Sequence, residues 1–189
     1  MFTKEKKYIT PEEYLKLERK SETKNEYYSG EIFAMPGASL NHNKISGNIF
    51  AGLHSRLKNT KCIPFGSDMR MYVSENGLFT YPDICVFCGE VKLYDDENDT
   101  ALYPKVIFEI SNHVFHNNSR GGNFVHYREI KTLEDYILVS QNEVSIEHYH
   151  KQPGNKWILE EFKNISDELI LDSIKVSLKL SEIFEGVKI

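Results

Sequence analysis

Two carboxylates stand where short apolar runs begin or end, and their placement predicts a metal site. Residues 81–88 and 103–111 are rich in β-branched, aromatic and other apolar side chains, a pattern typical of buried strands. Asp83 opens the first run and Glu109 lies near the end of the second. If the two strands pair in antiparallel fashion, the carboxylates meet at one edge of a sheet, where they suit Mg²⁺ or Mn²⁺. The alternative is an aspartate in a turn and a glutamate at a strand end, both solvated.

Several common catalytic motifs are missing from the sequence. It has no glycine-rich Walker loop, no Gly-x-Gly-x-x-Gly, no Gly-x-Ser-x-Gly elbow and no His-Glu-x-x-His. What remains is the pair Asp83 and Glu109, which indicates divalent-metal hydrolysis of phosphodiesters. In that chemistry the ion polarises the scissile phosphate and lowers the pKa of an attacking water. A further positive group normally orients the water or stabilises the developing charge.

Histidines offer a different metal interpretation. Glu109, His113 and His116 are close in sequence and could gather on one loop, where imidazole ligands favour Zn²⁺ or Mn²⁺ over Mg²⁺. Their spacing matches no zinc motif, which favours exposed loop histidines instead. His148 and His150 are two residues apart on a predicted strand, so they share one face, and we expect that face to be solvent-exposed.

The three cysteines are predicted to be core thiols. Cys85 and Cys88 form a Cys-x-x-Cys pair, but they lie in or at the end of an apolar run. No second pair is present to complete a zinc site. Together with Cys62, they fit the usual behaviour of cysteine as a small buried hydrophobe.

Length and composition are those of one soluble domain. The chain has 189 residues, 40% of them hydrophobic, which suffices for a single substantial core. No apolar run reaches the roughly 18 residues of a membrane helix. The N-terminus lacks the apolar stretch of a signal peptide, so we expect a cytoplasmic location.

The charge distribution limits where nucleic acid could bind. A net charge of −5 argues against a broad cationic surface of the kind that neutralises DNA phosphates. Residues 110–131 differ, because Arg120, Arg128 and Lys131 stand against Glu129 for a local charge of +2. We therefore expect any DNA contact to be local to this segment.

Apolar periodicity and turn residues predict mixed helices and strands. Thr10, Pro11 and Glu13 form a capping box with proline at the first helical position, which predicts a helix to about residue 20. Apolar residues at four-residue steps from Ile45 to Leu57 predict a long amphipathic helix over 39–58. The other predicted elements are a hairpin over 26–35, strands over 62–65, 69–73 and 82–87 with a turn at 75–77 between the last two, an acidic solvated loop over 90–99, a helix over 124–129, a strand meander over 135–140, 144–149 and 157–162, a strand over 174–178 and a helix over 181–184.

Seven short segments also carry a family resemblance, namely 10–14, 30–35, 41–43, 67–70, 81–83, 108–111 and 126–130. In this order they resemble the Uma-type restriction endonuclease family of the PD-(D/E)xK nuclease superfamily. The resemblance spans nearly the whole chain. It implies one restriction-endonuclease-like α/β (α+β) domain over 1–189, in which helices flank a mixed β-sheet core and the strands near the C-terminus form an antiparallel meander.

The same resemblance implies roles for individual residues. Asp83 matches the superfamily's motif aspartate and Glu109 the acidic residue of the (D/E)xK element, so both are expected to be catalytic and to bind Mg²⁺ or Mn²⁺. Glu31 is a candidate for a supplementary metal carboxylate. The implied protein is a DNA endonuclease, and a homodimer is expected because two-fold symmetry matches that of duplex DNA.

The chain departs from the family pattern at the lysine. Ser111, and not lysine, stands two residues after Glu109. The family commonly supplies the lysine later, in a run reading Asp-Arg-Gly-Glu-Lys, where this chain has Ser-Arg-Gly-Gly-Asn over 119–123. Asn123 brings no positive charge, and Arg120 is not equivalent to lysine.

Two functions are consistent with these departures. The first is a metal-dependent endonuclease in which Ser111, Asn123 or Arg120 assists Asp83 and Glu109. The second is a catalytically decayed module that binds nucleic acid or another protein.

Overall fold

Four helices and fourteen strands build the described part of the chain. The computed structural model describes residues 8–111 and 120–189, with only the helical backbone described for 120–123. The helices are α1 (Pro11–Glu18), α2 (Leu40–Arg56), α3 (Arg120–Tyr127) and α4 (Leu180–Ile183). The strands are β1 (Asn25–Tyr28), β2 (Glu31–Ala34), β3 (Cys62–Gly66), β4 (Arg70–Val73), β5 (Leu78–Thr80), β6 (Ile84–Cys88), β7 (Lys92–Leu93), β8 (Thr100–Leu102), β9 (Val106–Ser111), β10 (Asp135–Ser140), β11 (Ile146–Gln152), β12 (Lys156–Phe162), β13 (Glu168–Leu171) and β14 (Val176–Lys179).

The strands form two six-stranded mixed sheets and one small sheet. The first sheet has the order β2-β1-β5-β4-β8-β7, the second has the order β12-β11-β10-β9-β6-β3, and β13 pairs with β14. Within the second sheet β9 and β10 are parallel, whereas β10, β11 and β12 run antiparallel to one another. The predicted mixed-sheet core with an antiparallel C-terminal meander is therefore confirmed.

Helix α2 packs an apolar stripe against the second and third sheets. Ser39 caps the helix by accepting a hydrogen bond from the backbone N–H of His42. Ile45, Ile49 and Leu53 recur at steps of four and are fully buried in a cluster that also contains side chains of β6, β9, β10 and β14. This packing fixes the first turn of α2 beside the second sheet.

Helix α1 connects the first sheet to the segment before β6. The predicted capping box begins the helix, and Tyr14 stacks on Tyr27 of β1 with ring centroids 5.1 Å apart. Glu18, the last helical residue, accepts hydrogen bonds from the backbone N–H of Asn25 at 2.8 Å and from the Tyr81 hydroxyl at 2.9 Å. Because Tyr81 lies just before β6, these bonds hold the start of β1 near the start of β6.

Some local predictions were wrong. The turn at 75–77 joins β4 to β5 and not to β6, because residues 78–80 form a short strand that the sequence pattern did not reveal. Strand β13 was also missed. The acidic segment over 90–99 is not simply solvated, since Asp99 lies 2.8 Å from Arg19 Nε and 2.8 Å from Nη2 of the buried Arg70.

The cysteine prediction was wrong for two of the three residues. Cys62 of β3 and Cys88 of β6 are paired in the strand register and form a disulfide. Cys88 is exposed and Cys62 half-buried, so neither is a core thiol. Only Cys85 is a buried free cysteine within the described chain.

The histidine prediction for β11 was also wrong. His148 is buried and His150 half-buried, because the turn between β13 and β14 covers their face of the sheet. Both rings contact Asp135 at the start of β10. Within the described residues, no helix is both long and apolar enough to cross a membrane.

Candidate active site

A cavity of about 670 Å³ lies beside the start of β6 and the end of β9. Its wall combines the segment before β1, the loop that leads into α2, and residues of the second sheet. Volumes of this size are typical of small-molecule sites, which span roughly 300–1,000 Å³. The described lining residues are Thr23, Lys24, Met35, Pro36, Gly37, Ala38, Ser39, His42, Ser67, Asp83, Glu109, Ile110, Ser111, Tyr136, Leu138 and Gln141.

Asp83 and Glu109 face each other in this wall. Strands β6 and β9 are antiparallel, and Ile84 is paired with Phe108. Asp83 precedes Ile84 and Glu109 follows Phe108, so the same register brings Asp83 opposite Glu109. Cys85 and Ile107, two residues away in each strand, both belong to the hydrophobic cluster beneath α3. Since side chains alternate along a strand, Asp83 and Glu109 project from that same face. The backbone N–H of Ile110 donates to Asp83 Oδ2 at 2.7 Å, which ties the two strands together at this point.

Glu109 is half-buried and lies in a negatively charged setting. The hydroxyl of Tyr127 in α3 donates to Glu109 Oε1 at 2.8 Å. Desolvation, followed by the charge of Asp83 and to a smaller extent that of Glu26, raises the pKa of Glu109 well above its ordinary value. Burial, reinforced by the Glu109 charge, likewise raises the pKa of the Tyr127 hydroxyl. A cation bound between the two carboxylates would offset this repulsion.

The donor atoms fit a hard divalent cation. Asp83 Oδ1 lies 2.9 Å from His42 Nε2, and its other oxygen accepts the Ile110 N–H. An ionised carboxylate offers about four acceptor positions, so these bonds leave lone pairs on Asp83 and on Glu109. Carboxylate oxygens that face a cavity, together with water, are the ligands that Mg²⁺ and Mn²⁺ prefer.

Positive groups line the same cavity. The first turn of α2 contributes Ser39 and His42, and a helix N-terminus presents unpaired N–H groups and a positive dipole to anions. Lys24 is the one lysine or arginine among the described lining residues. Its Nζ donates to the Ser67 carbonyl at 2.8 Å and lies 2.6 Å from Asp68 Oδ1. The Asp68 side chain is 97% exposed, so solvent screens that ion pair.

The structure places the other predicted site residues in different settings. Ser111 lines the cavity at the end of β9. Arg120 and Asn123 lie in the first turn of α3, but their side chains are outside the described part of the chain. His113 and His116 also fall outside the described residues.

Glu31, the predicted supplementary carboxylate, and Glu26, for which the sequence predicted no role, lie in different settings. Glu31 starts β2 opposite Tyr28, and it is not among the described lining residues. Glu26 of β1 is the carboxylate whose charge acts on Glu109, and it accepts a hydrogen bond from the Thr80 hydroxyl. Glu26 is the charged residue at the start of the strand-like run 26–28, and this position was the available signal for it.

Two cavity residues, Lys24 and His42, were not predicted from the sequence. Lys24 precedes a predicted hairpin and has no motif around it. His42 lies in the segment 41–43, which was one of the segments of family resemblance, and that segment could have identified it.

Comparisons with known proteins assign the chain to a family. The Uma2 family model, described as "Putative restriction endonuclease", matches residues 11–181. The Synechocystis sp. protein slr1290 is 33% identical over 181 residues, which cover 95% of this chain and 93% of that protein. A second protein from the same organism, sll1609, is 31% identical over 170 residues, which cover 90% of this chain and 96% of that protein. A crystal structure of a "putative nuclease belonging to DUF820" from Anabaena variabilis shares the fold, with a TM-score of 0.75 and 21% identity over 95% of this chain and 99% of that chain. With a family match across most of its length, this chain belongs to the Uma2 family.

Proposed function

We propose that the protein is a divalent-metal-dependent DNA endonuclease in which Asp83 and Glu109 bind Mg²⁺ or Mn²⁺. The observation that carries this proposal is that the two carboxylates face each other on paired strands, in the wall of a cavity that also has a helix N-terminus and a lysine. Membership of a family described as restriction endonucleases supports phosphodiester hydrolysis as the reaction class.

The neighbouring side chains prepare the two carboxylates for this role. A bound Mg²⁺ or Mn²⁺ supplies Lewis-acid polarisation of the scissile phosphate and a water of lowered pKa. The Ile110 N–H and His42 orient Asp83, while Tyr127 orients Glu109. Such fixed orientation reduces the rearrangement needed when substrate binds.

Lys24 is our candidate for the missing positive charge. Position 123, where the family commonly has lysine, is asparagine in this chain. Lys24 lines the cavity with both carboxylates, and its ion pair among the described residues is with the highly exposed Asp68. An ammonium group close to the scissile phosphate stabilises the charge that develops during hydrolysis. Ser111, Arg120 and Asn123 remain the proposed assisting residues around it.

The proposed substrate contact combines the cavity with residues 111–131. The first turn of α2 offers backbone N–H groups for a phosphate, and the segment 110–131 has the local charge of +2 described above. A homodimer, also part of the proposal, would place two cavities on the two strands of a duplex.

Cleavage of supercoiled plasmid DNA tests the proposal. Purified protein with Mn²⁺ or Mg²⁺ is expected to nick the plasmid, and Asp83→Asn or Glu109→Gln to abolish nicking. Asp96→Asn is a matched control, because Asp96 is an exposed acidic residue outside the cavity lining. Circular dichroism establishes that each variant is folded. Nicking that survives Asp83→Asn would reject the assignment.

A second candidate function is a module that binds nucleic acid or protein without hydrolysis. The observation that favours it is the replacement of the family's Asp, Glu and Lys by Ser119, Gly122 and Asn123. Calorimetric titration with Mn²⁺ distinguishes the two functions. Heat that depends on both Asp83 and Glu109 supports the nuclease, and no binding at millimolar Mn²⁺ supports the module.

A further inference from the structure

A second cluster of metal-ligating side chains lies on the other face of the second sheet. Asp135 begins β10 and is paired with His150 of β11, and His148 is on the same strand. Glu109 is paired with Leu138, three residues after Asp135. Because side chains alternate along a strand, Asp135 projects from the face opposite to Glu109. The sheet itself therefore separates this cluster from the cavity.

Three ligand atoms converge in the cluster. Asp135 Oδ1 lies 2.7 Å from His148 Nε2 and 2.7 Å from His150 Nδ1, and all three atoms lie within 4.8 Å of one another. The Ser173 hydroxyl donates to Asp135 Oδ2 and fixes the orientation of the carboxylate. The side chains of Asp135 and His148 are 0% and 4% exposed, whereas that of His150 is 31% exposed. An ion can therefore enter from the side of His150.

The second ring nitrogen of His148 lies close to a carboxylate that could support it as a metal ligand. His148 Nδ1 is buried and has no hydrogen-bond partner among the residues that the structure describes. Glu160, which is paired with His148 across β11 and β12, has its Oε2 3.8 Å from this nitrogen. Metal-binding histidines almost always donate their other N–H to a carboxylate, a carbonyl or water. Glu160 is 61% exposed and free to make the short movement that such a bond requires.

We propose that Asp135 Oδ1, His148 Nε2 and His150 Nδ1 bind one Zn²⁺ ion, with water as a further ligand. Two imidazoles and one carboxylate are typical zinc ligands, and three protein ligands leave a position open. Imidazole ligands favour Zn²⁺, whereas the carboxylate pair Asp83 and Glu109 favours Mg²⁺ or Mn²⁺. The ion replaces the two hydrogen bonds to Asp135 and joins β10 to β11.

Calorimetry with Zn²⁺ tests this site. The titration uses tag-free protein carrying Asp83→Asn and Glu109→Gln, so that the proposed nuclease site does not contribute. His150→Gln in this background is expected to weaken Zn²⁺ binding by about tenfold or more, because even the outer partners of metal ligands are worth roughly 10–100-fold. His54→Gln, at an exposed position of α2, is the matched control and leaves binding unchanged. No Zn²⁺ binding, or binding that His150→Gln does not weaken, overturns the proposal.

X-ray absorption at the zinc edge provides a second measurement that needs no substitution of the buried His148. In the Asp83→Asn, Glu109→Gln protein, the spectrum of bound Zn²⁺ is expected to contain two imidazole ligands together with oxygen. A spectrum with one imidazole or none contradicts the site. The plasmid assay measures nuclease activity separately, so failure of one proposal does not affect the other.

Discussion

Replacing Tyr127 by phenylalanine isolates the hydrogen bond that orients Glu109. The Tyr127 side chain is fully buried. Its hydroxyl donates to Glu109 Oε1 at 2.8 Å and lies 3.3 Å from the Thr80 hydroxyl. Phenylalanine keeps the ring contact with Tyr136, whose centroid is 5.8 Å away. Tyr127 is not among the described lining residues, so we expect its effect on a bound ion to pass through Glu109.

Tyr127→Phe is expected to lower both metal affinity and stability. Partners that orient metal ligands are worth roughly 10–100-fold in metal affinity, which corresponds to about 1.4–2.7 kcal/mol. A hydrogen bond to a charged group contributes about 1.5–3 kcal/mol to stability, and the loss is smaller when water can replace the donor. Because Glu109 lines the cavity, we expect a loss of about 1–2 kcal/mol in the free energy of unfolding.

Mn²⁺ calorimetry and urea unfolding of three proteins measure both effects. The wild type is compared with Tyr127→Phe and with Tyr149→Phe, whose hydroxyl donates to Glu147 Oε2 at 2.9 Å. Tyr149→Phe thus removes a tyrosine–glutamate bond of similar length outside the described cavity lining. We expect Mn²⁺ affinity to fall in Tyr127→Phe alone. Equal losses in the two variants, or unchanged affinity in Tyr127→Phe, would refute the role given to Glu109.

Three further predictions concern Lys24, Asp99 and the Cys62–Cys88 disulfide. Lys24→Ala is expected to lower plasmid cleavage by about 10²-fold with unchanged Mn²⁺ affinity, and a parallel loss of Mn²⁺ binding in calorimetry would argue against its role towards the phosphate. Hydrogen bonds to its carboxylate, of which the one from Arg19 has the largest effect, hold the pKa of Asp99 well below its ordinary value. Asp99 therefore contributes stability above its unfolded pKa of about 3.9 and loses it as the pH falls towards the folded value. Urea unfolding at a series of pH values is expected to show a shallower acid loss for Asp99→Asn than for the wild type, and identical slopes would contradict this. Reduction of the Cys62–Cys88 disulfide, which joins residues 26 apart, is expected to lower the free energy of unfolding by about 3 kcal/mol, and unfolding curves that coincide with and without reductant would show that the disulfide contributes nothing.

Features that depend on local sequence were predictable. The capping box before α1 and the four-residue apolar steps of α2 each lie within one helix, so the sequence pattern identified both elements. Asp83 and Glu109 stand at the ends of apolar runs, and antiparallel pairing of β6 with β9 was enough to bring them together. The strand meander near the C-terminus followed from its turns in the same way.

Contacts whose partner the sequence did not indicate were not predictable, because they depend on strand register or on what covers a sheet. The Cys62–Cys88 disulfide requires the register of β3 against β6, which no local pattern contains. The periodicity of His148 and His150 showed that they share a face, but the third sheet decides that this face is covered. Lys24 reaches the cavity because α1 holds the start of β1 against the segment before β6, a contact between residues far apart in sequence.

Anomalous diffraction from crystals soaked in millimolar Mn²⁺ tests the central claim most directly. The claim is that Asp83 and Glu109 bind one ion together in the wall of the cavity. We predict an anomalous peak within bonding distance of both carboxylates, and its loss in crystals of Asp83→Asn. A Mn²⁺ peak elsewhere in the molecule, with none between these two side chains, would contradict the claim.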